Sequence, residues 1–372
     1  MAKTTPGTWP APAASSRVSG GSVRSPAGSG DPRPRAAGPD PARRGACAAL
    51  AAAVVGSVCG VGWAATPAGE RRAPAPASAA ARRLAQLDPE RIGPDDVRDV
   101  LARVPAPRII ALQGSVPLVT MEPFAEFLVA MGYPARQLAD PRDGTFSRDS
   151  FGSSEALAGV LAWHYEREGI VPLLIGHSQG GMLAIRTLHE LAGAFNARLA
   201  VWDPLRDAPE PRTTIVDPRS GRERPVLGLQ VPWASAIATG KLPRLLLGQW
   251  SMLERLTQIP DTVGEFTGFA MEWDPIAGNF GSIEPYVATG SAAVRNVVLP
   301  SDYRHVLLPL AAGLAREPAT RSWIDTYVPG AGGSPPAGVD TTNLIHAADI
   351  WHSVKKHWCR EAQRLLAATA PS

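Results

Sequence analysis

The chain has 372 residues, of which 45% are hydrophobic and 19% charged, with a formal net charge of +3. That is enough apolar material for one large core, and a catalytic domain of about 250–300 residues sits at the upper edge of what a single core supports. Lysine and arginine form no cluster in the part that reads as folded, which excludes the basic footprint of a nucleic-acid-binding protein.

In chain order, residues 1–42 carry almost no large apolar side chain and abound in Pro, Gly and Arg. Such a segment cannot bury enough surface to offset the entropy of ordering and reads as a disordered tail. Residues 43–66 open on Arg43-Arg44, continue as an apolar run from Ala46 to Ala65 and close near Trp63-Ala64-Ala65. Two arginines before a short small-residue apolar run read as a secretory signal, or as a retained membrane anchor. Either reading puts the protein outside the cytoplasm, periplasmic or secreted, and a retained segment ties it to a membrane. A buried Ala-rich helix is the alternative. Cys47 and Cys59 fall within the run, so cleavage leaves Cys359 alone and no internal disulfide.

Residues 67–107 read as a linker with a peripheral helix around Pro94 to Arg103. From residue 108 onward the rhythm changes. Ile109 to Leu112 is a continuous apolar run, as a strand buried on both faces requires, and Gln113-Gly114-Ser115 breaks it. A helix is expected from Glu122 to Met131, ended by Gly132. A second follows a Ser153 or Ser154 cap and stops at Gly169. Val171 to Ile175 reads as a strand and Met182 to Phe195 as a helix. This alternation predicts an α/β fold with a mostly parallel central sheet and helices on both faces. Residues 204–265 break the rhythm and read as an insertion over the sheet. Within it, Val226 to Val231 reads as a returning strand and Leu242 to Leu256 as a surface helix. Strands are then expected at Phe266 to Trp273 and Val294 to Leu299, and a long terminal helix at Ile345 to Leu366.

Gly176-His177-Ser178-Gln179-Gly180-Gly181 stands between the second strand and its helix. Gly-x-Ser-x-Gly in that setting is a nucleophile elbow, a strained turn that projects the serine hydroxyl from the sheet edge. Side chains at Gly176 and Gly180 would collide with backbone in such a turn. The helix N-terminus behind Ser178 favours developing negative charge.

With these residues, from about Arg108 to Pro309, the sequence resembles the α/β-hydrolase superfamily, and within it the bacterial lipases and esterases. The resemblance implies an α/β-hydrolase fold and a serine nucleophile, Ser178. It also implies an oxyanion hole from the backbone N–H groups of Gln179 and Ser115, although this chain has Gln113-Gly114 where the family usually has His-Gly. It further implies the chain order serine, acid, histidine.

Of the seven histidines, His164 and His189 lie on flanking helices and His177 inside the elbow. His305, in a loop past the last strand and before apolar residues, is the expected base, with His346 and His352 on the terminal helix as alternatives. Asp274, at the end of the preceding strand, is the expected acid; Asp302 is the alternative, and Asp203 also precedes a proline after a strand. The bland readings are a turn-forming aspartate before proline and helix-face histidines. No metal-ligand spacing and no phosphate loop is present, so no cofactor is expected. The expected function is a serine hydrolase acting on a small-molecule or lipid ester. Trp233, Leu245, Leu246, Leu247, Trp250 and Leu253 are offered as an acyl pocket or lid. The same residues would serve an acyltransferase, thioesterase or amidase, and the fold alone would serve a non-catalytic envelope protein.

Overall fold

The computed structural model describes residues 79–116, 118–331 and 333–369. The tail at 1–42 and the signal or anchor at 43–66 lie outside the described residues, as does the linker up to residue 78. No helix among the described residues is long and apolar enough to cross a membrane.

The core is a five-stranded sheet in sequential order, with every neighbouring pair parallel. Its strands are β1 (Ile109–Leu112), β2 (Leu173–His177), β3 (Val231–Ile237), β4 (Val263–Ala270) and β5 (Ala293–Val298). Alternation along each strand divides the apolar side chains between two cores. Ile109, Ala111, Leu173, Ile175, Trp233 and Phe269 face one side, and Ile110, Leu112, Leu174, Ala234 and Phe266 the other. Helices α1 (Ala79–Gln86), α2 (Pro94–Asp99), α3 (Glu122–Ala130), α7 (Pro318–Thr326) and α8 (Leu344–Thr369) contribute to the first core. Helices α4 (Ser154–Glu168) and α5 (Gln179–Leu191) contribute to the second. A parallel sheet with helices on both faces and a serine at the β2–α5 turn is the α/β-hydrolase fold expected from the sequence.

Local chemistry sets the helix ends. The Ser153 hydroxyl accepts from the Ala156 N–H at 3.2 Å to start α4, and Gly169, at φ 74°, ends it. Pro172 delays β2 to Leu173, and α5 runs from Gln179 to Leu191 rather than from Met182 to Phe195.

Several expectations need correction. Residues 79–107 are no linker: Leu84, Val97, Val100 and Leu101 are buried in the same core as α8. The segment 204–265 is not one insertion, because it contains the middle strand of the sheet. That strand is Val231–Ile237, not Val226 to Val231. Its Ala234-Ser235-Ala236 centre is weakly strand-like in sequence, yet small residues are needed where α5 approaches. What precedes β3 is two short antiparallel pairings, Trp202–Asp203 with Ala208–Pro209 and Thr214–Val216 with Glu223–Pro225. The expected helix Leu242 to Leu256 is a short α6 (Leu242–Leu246) followed by a separate 3-10 turn at Trp250–Met252. Gly248, at φ 68°, breaks it. The strand placed at Phe266 to Trp273 ends at Ala270, and Trp273–Asp274 instead pairs with Asn279–Phe280.

The terminal helix α8 is a structural column. Trp351 and Trp358 are fully buried on it, and the Trp358 indole N–H donates to the Pro105 carbonyl at 3.2 Å while its ring meets Tyr133 edge-on at 5.1 Å. Trp358→Ala is expected to lower the unfolding free energy by about 3–5 kcal/mol in urea titration. Leu246→Ala, at a side chain 75% exposed, is expected to change it by under about 0.5 kcal/mol.

Candidate active site

The turn after β2 is held by backbone that approaches more closely than any side chain permits. A Cβ on Gly176 would stand 2.4 Å from the backbone of Gly180 and Gly181, and one on Gly180 would stand 2.1 Å from the Leu112 carbonyl oxygen. Ser178 itself takes φ 52° and ψ −112°, a strained conformation for a residue with a side chain. Two contacts hold it there. Its N–H donates to the Ile237 carbonyl at 2.8 Å, and its carbonyl accepts from the Thr239 hydroxyl at 2.9 Å.

The loops at the C-terminal ends of β2, β4 and β5 bring three distant side chains together. The Ser178 hydroxyl lies 2.9 Å from His305 Nε2, and His305 Nδ1 lies 2.7 Å from Asp274 Oδ2. A carboxylate can only accept, so Nδ1 carries the proton and Nε2 is free to accept from the serine hydroxyl. The other Asp274 oxygen accepts from the Ala277 N–H at 3.0 Å, inside a turn in which the Gly278 N–H, at φ 89°, donates to the Asp274 carbonyl at 2.9 Å. This turn docks on the end of β3: a Cβ on Gly240 would stand 1.8 Å from the Ala277 carbonyl oxygen. Asp274 is 2% exposed and Ser178 6%, so the carboxylate sits deepest.

The alternatives lie elsewhere. Asp302 is exposed and Asp203 ties its own loop through the Leu205 N–H at 2.8 Å. His346 is fully buried among Phe124, Phe269 and Tyr303, with Nε2–H donating to the Leu308 carbonyl at 2.9 Å. His352 approaches Glu90 at 3.9 Å. Neither is placed at Ser178.

His177 supports the site from behind. Its Nε2–H donates to the His305 carbonyl at 2.9 Å, and the two rings lie 5.1 Å apart. Burial first, and the neighbouring His305 second, push its pKa down to about 3, so it stays neutral and adds no competing charge.

The loop Gln113-Gly114-Ser115 flanks the nucleophile: a Cβ on Gly114 would lie 3.5 Å from the Ser178 Cβ and 3.1 Å from His177 Nδ1. The Gly114 carbonyl accepts from the Ser150 hydroxyl at 3.3 Å, so the Ser115 N–H of the same trans peptide points away from Ser150. Gln179 opens α5 and its N–H is among those without a helical partner.

The expected apolar pocket needs revision at one residue. Trp233 is buried in the sheet, its indole N–H donating to Thr267 at 3.2 Å, and takes no part in a lid. Leu245, Leu246, Leu247 and Trp250 are exposed, as are Trp273, Ile276 and Phe280 on the Asp274 turn. Leu242 touches that turn, since a Cβ on Gly278 would stand 2.4 Å from the Leu242 Cβ.

Three supporting residues were not singled out from sequence: Thr239, Gly240 and Arg244. Gly240, which follows β3 after Ala238 and Thr239, is the one position with a residue type that signals a close approach. Arg244 is 1% exposed and donates to the Gln179 side chain.

No protein-family model matches the chain, and no curated protein matches it in sequence. Among solved structures it is similar to an alpha-beta serine hydrolase homologue from Coxiella burnetii, at 14% identity and a TM-score of 0.29, covering 57% of this chain and 83% of that one. It is also similar to RedJ, solved with a PEG molecule bound in the active site, at 15% identity and a TM-score of 0.24, covering 59% of this chain and 90% of that one. The chemistry of the site is therefore read from its own side chains.

Two buried histidines here set an acid limit. Burial pushes His346 down to about 4 from an ordinary 6.5, and His177 lower still. The unfolded chain takes up protons near 6.5, so stability from the neutral forms is whole above that pH and is lost as pH falls toward 4. The urea midpoint is expected to drop between pH 7.5 and pH 5, at about 1.4 kcal/mol per group per pH unit once the unfolded chain is protonated. His346→Phe is expected to show a smaller drop; an unchanged slope rejects the assignment.

Proposed function

We propose that the protein is a serine hydrolase that cleaves carboxylic esters through Ser178, His305 and Asp274. The observation that carries this reading is the continuous hydrogen-bonded chain from hydroxyl to imidazole to carboxylate, at 2.9 and 2.7 Å. Structural proteins have no use for a strained serine whose hydroxyl meets the basic nitrogen of an oriented histidine.

In this mechanism the Ser178 oxygen attacks the ester carbonyl carbon while His305 Nε2 takes the hydroxyl proton. Asp274 stabilises the imidazolium and keeps Nδ1 protonated. The tetrahedral oxyanion is received by the N–H groups of Gln179 and Ser115, with the N-terminus of α5 behind it. The C–O bond then breaks, and His305 returns the proton to the departing alcohol oxygen. An acyl-enzyme remains on Ser178. Water then attacks the acyl carbon while His305 Nε2 takes one of its protons; the new oxyanion collapses, the bond from the acyl carbon to the Ser178 oxygen breaks, and His305 returns the proton to that oxygen, which releases the free acid and restores the serine. Neutral His177 leaves the whole transient positive charge on His305. The exposed leucines of α6 and the aromatic residues of the Asp274 turn are offered as the surface that receives the apolar part of the ester. Residues 43–66 supply the case for an exported enzyme.

Residues from about 65 onward should react with a fluorophosphonate probe and hydrolyse p-nitrophenyl esters. Ser178→Ala is expected to abolish labelling. His305→Ala and Asp274→Asn are expected to lower kcat by about 10³–10⁴-fold, through loss of the base and of its tautomer. His352→Ala is expected to behave as wild type. A folded wild-type protein that neither labels nor hydrolyses any ester or thioester rejects the enzyme reading in favour of a binding protein.

A further inference from the structure

Arg244 is the least expected side chain near Ser178. It lies in α6, at the C-terminal edge of the sheet, and is 1% exposed. Its Nη1 donates to two neutral oxygens, Oε1 of Gln179 and Oε1 of Gln249. Its Nε is buried without a hydrogen-bond partner. Tyr286, the nearby ionisable group, has its phenol pushed up by burial and stays neutral, with its hydroxyl donating to the Thr239 carbonyl at 3.2 Å. Among the described residues, no carboxylate forms an ion pair with Arg244. Three half-buried arginines do find one: Arg212 meets Glu166 at 2.6 Å, Arg219 meets Glu361 at 2.6 Å, and Arg295 meets Asp349 at 2.5 Å. Arg148 and Arg255 are half-buried without an ion pair among the described residues, but Arg244 alone of these is 1% exposed. An unpaired buried charge is destabilising and persists where function uses it.

The location says what would use it. Gln179 directly follows Ser178, and Gln179 and Gln249 line one cleft of about 410 Å³, together with Ser150, Ser153, Arg186, Glu155 and Glu190, with Arg244 behind the two glutamines rather than in the lining. Both Glu190 oxygens are already engaged, by Ser154 at 2.8 Å and Asn196 at 2.9 Å. The Gln249 backbone is fixed, its N–H donating to the Arg244 carbonyl at 2.8 Å and its carbonyl accepting from the Met252 N–H at 3.0 Å, so only its side chain has to rotate to uncover Arg244. Its amide oxygen occupies a guanidinium position that a planar carboxylate fits better, with full neutralisation and two acceptors. The N-terminus of α5 favours negative charge in the same place.

Resting on the serine-hydrolase reading, we propose that the enzyme takes esters whose acyl chain ends in a free carboxylate, and that Arg244 binds that carboxylate after Gln249 turns out. Arg244 is then the residue that sets specificity for anionic over neutral acyl groups.

The direct comparison is p-nitrophenyl glutarate monoester against p-nitrophenyl valerate. Wild type is expected to favour the anionic ester in kcat/KM by about tenfold or more, from a charge-assisted pair. Arg244→Gln is expected to collapse that ratio, chiefly through KM for the glutarate ester, and Arg244→Lys to keep part of it. A merely structural role would lower both esters together and leave the ratio alone. A second arm needs no turnover: glutarate should raise the melting temperature of Ser178→Ala but not of the Ser178→Ala, Arg244→Gln double variant. Valerate turnover without anionic preference and without a glutarate shift overturns the proposal while leaving the hydrolase intact. Silence toward every ester with the shift retained overturns the hydrolase reading and leaves Arg244 as a carboxylate site.

Discussion

The contact between the start of α5 and the end of β1 governs everything around Ser178. Gly180 sits so near the Leu112 carbonyl that even a methyl group would overlap it, and Gly176 sits as near the backbone of Gly180 and Gly181. Only at this closeness can the chain reverse from strand into helix within two residues and leave Ser178 at positive φ. The strain is held by neighbours on both sides. β3 accepts the Ser178 N–H through Ile237, and Thr239 binds the Ser178 carbonyl. A third constraint follows: Gly181 approaches Thr239 and Ala236 so closely that β3 must be built from small residues there.

A sequential parallel sheet turns this local constraint into a site. All five strands end on the same edge, so loops far apart in the chain meet there. Ser178 and His305 are 127 residues apart, and His305 and Asp274 are 31. The Asp274 turn is positioned twice, by its own Ala277 and Gly278 N–H groups and by the docking of Ala277 on Gly240. The His305 loop is positioned by His177, which grips the His305 backbone and leaves both ring nitrogens free for the serine and the aspartate. A group outside the hydrogen-bonded chain thus sets the reach of its central member.

What the sequence made legible follows from which forces act locally. Ile109 to Leu112 and the Ser153 and Gly169 helix boundaries depend on near neighbours and could be read directly. The elbow is readable because its glycines come as a motif within six residues, although only the demand on Gly176 is local and that on Gly180 comes from β1. Ser178, Asp274 and His305 were named from their places at strand ends, and the structure sets them side by side. The strand Val231–Ile237 is misplaced from sequence because Ala234 and Ala236 answer the approach of α5 to that face of the sheet, not strand propensity. Residues 79–107 were read as a linker because Leu84, Val97 and Leu101 acquire their meaning only against α8, more than two hundred residues later. Trp233 looked like a lid residue because an aromatic side chain carries no local mark of the face it will occupy.

Arg244 belongs to the same class of hidden information, and it bears on how the site balances charge. Arg244, without a carboxylate partner among the described residues, reaches the start of α5 only through the Gln179 side chain. His177 is held neutral by burial, so it adds no second positive charge. Arg244 lies behind Gln179, and Asp274 lies behind His305. The two buried groups thus flank the elbow from opposite sides, Asp274 answered by His305 and Arg244 answered only by neutral amides, which is where their burial differs in cost.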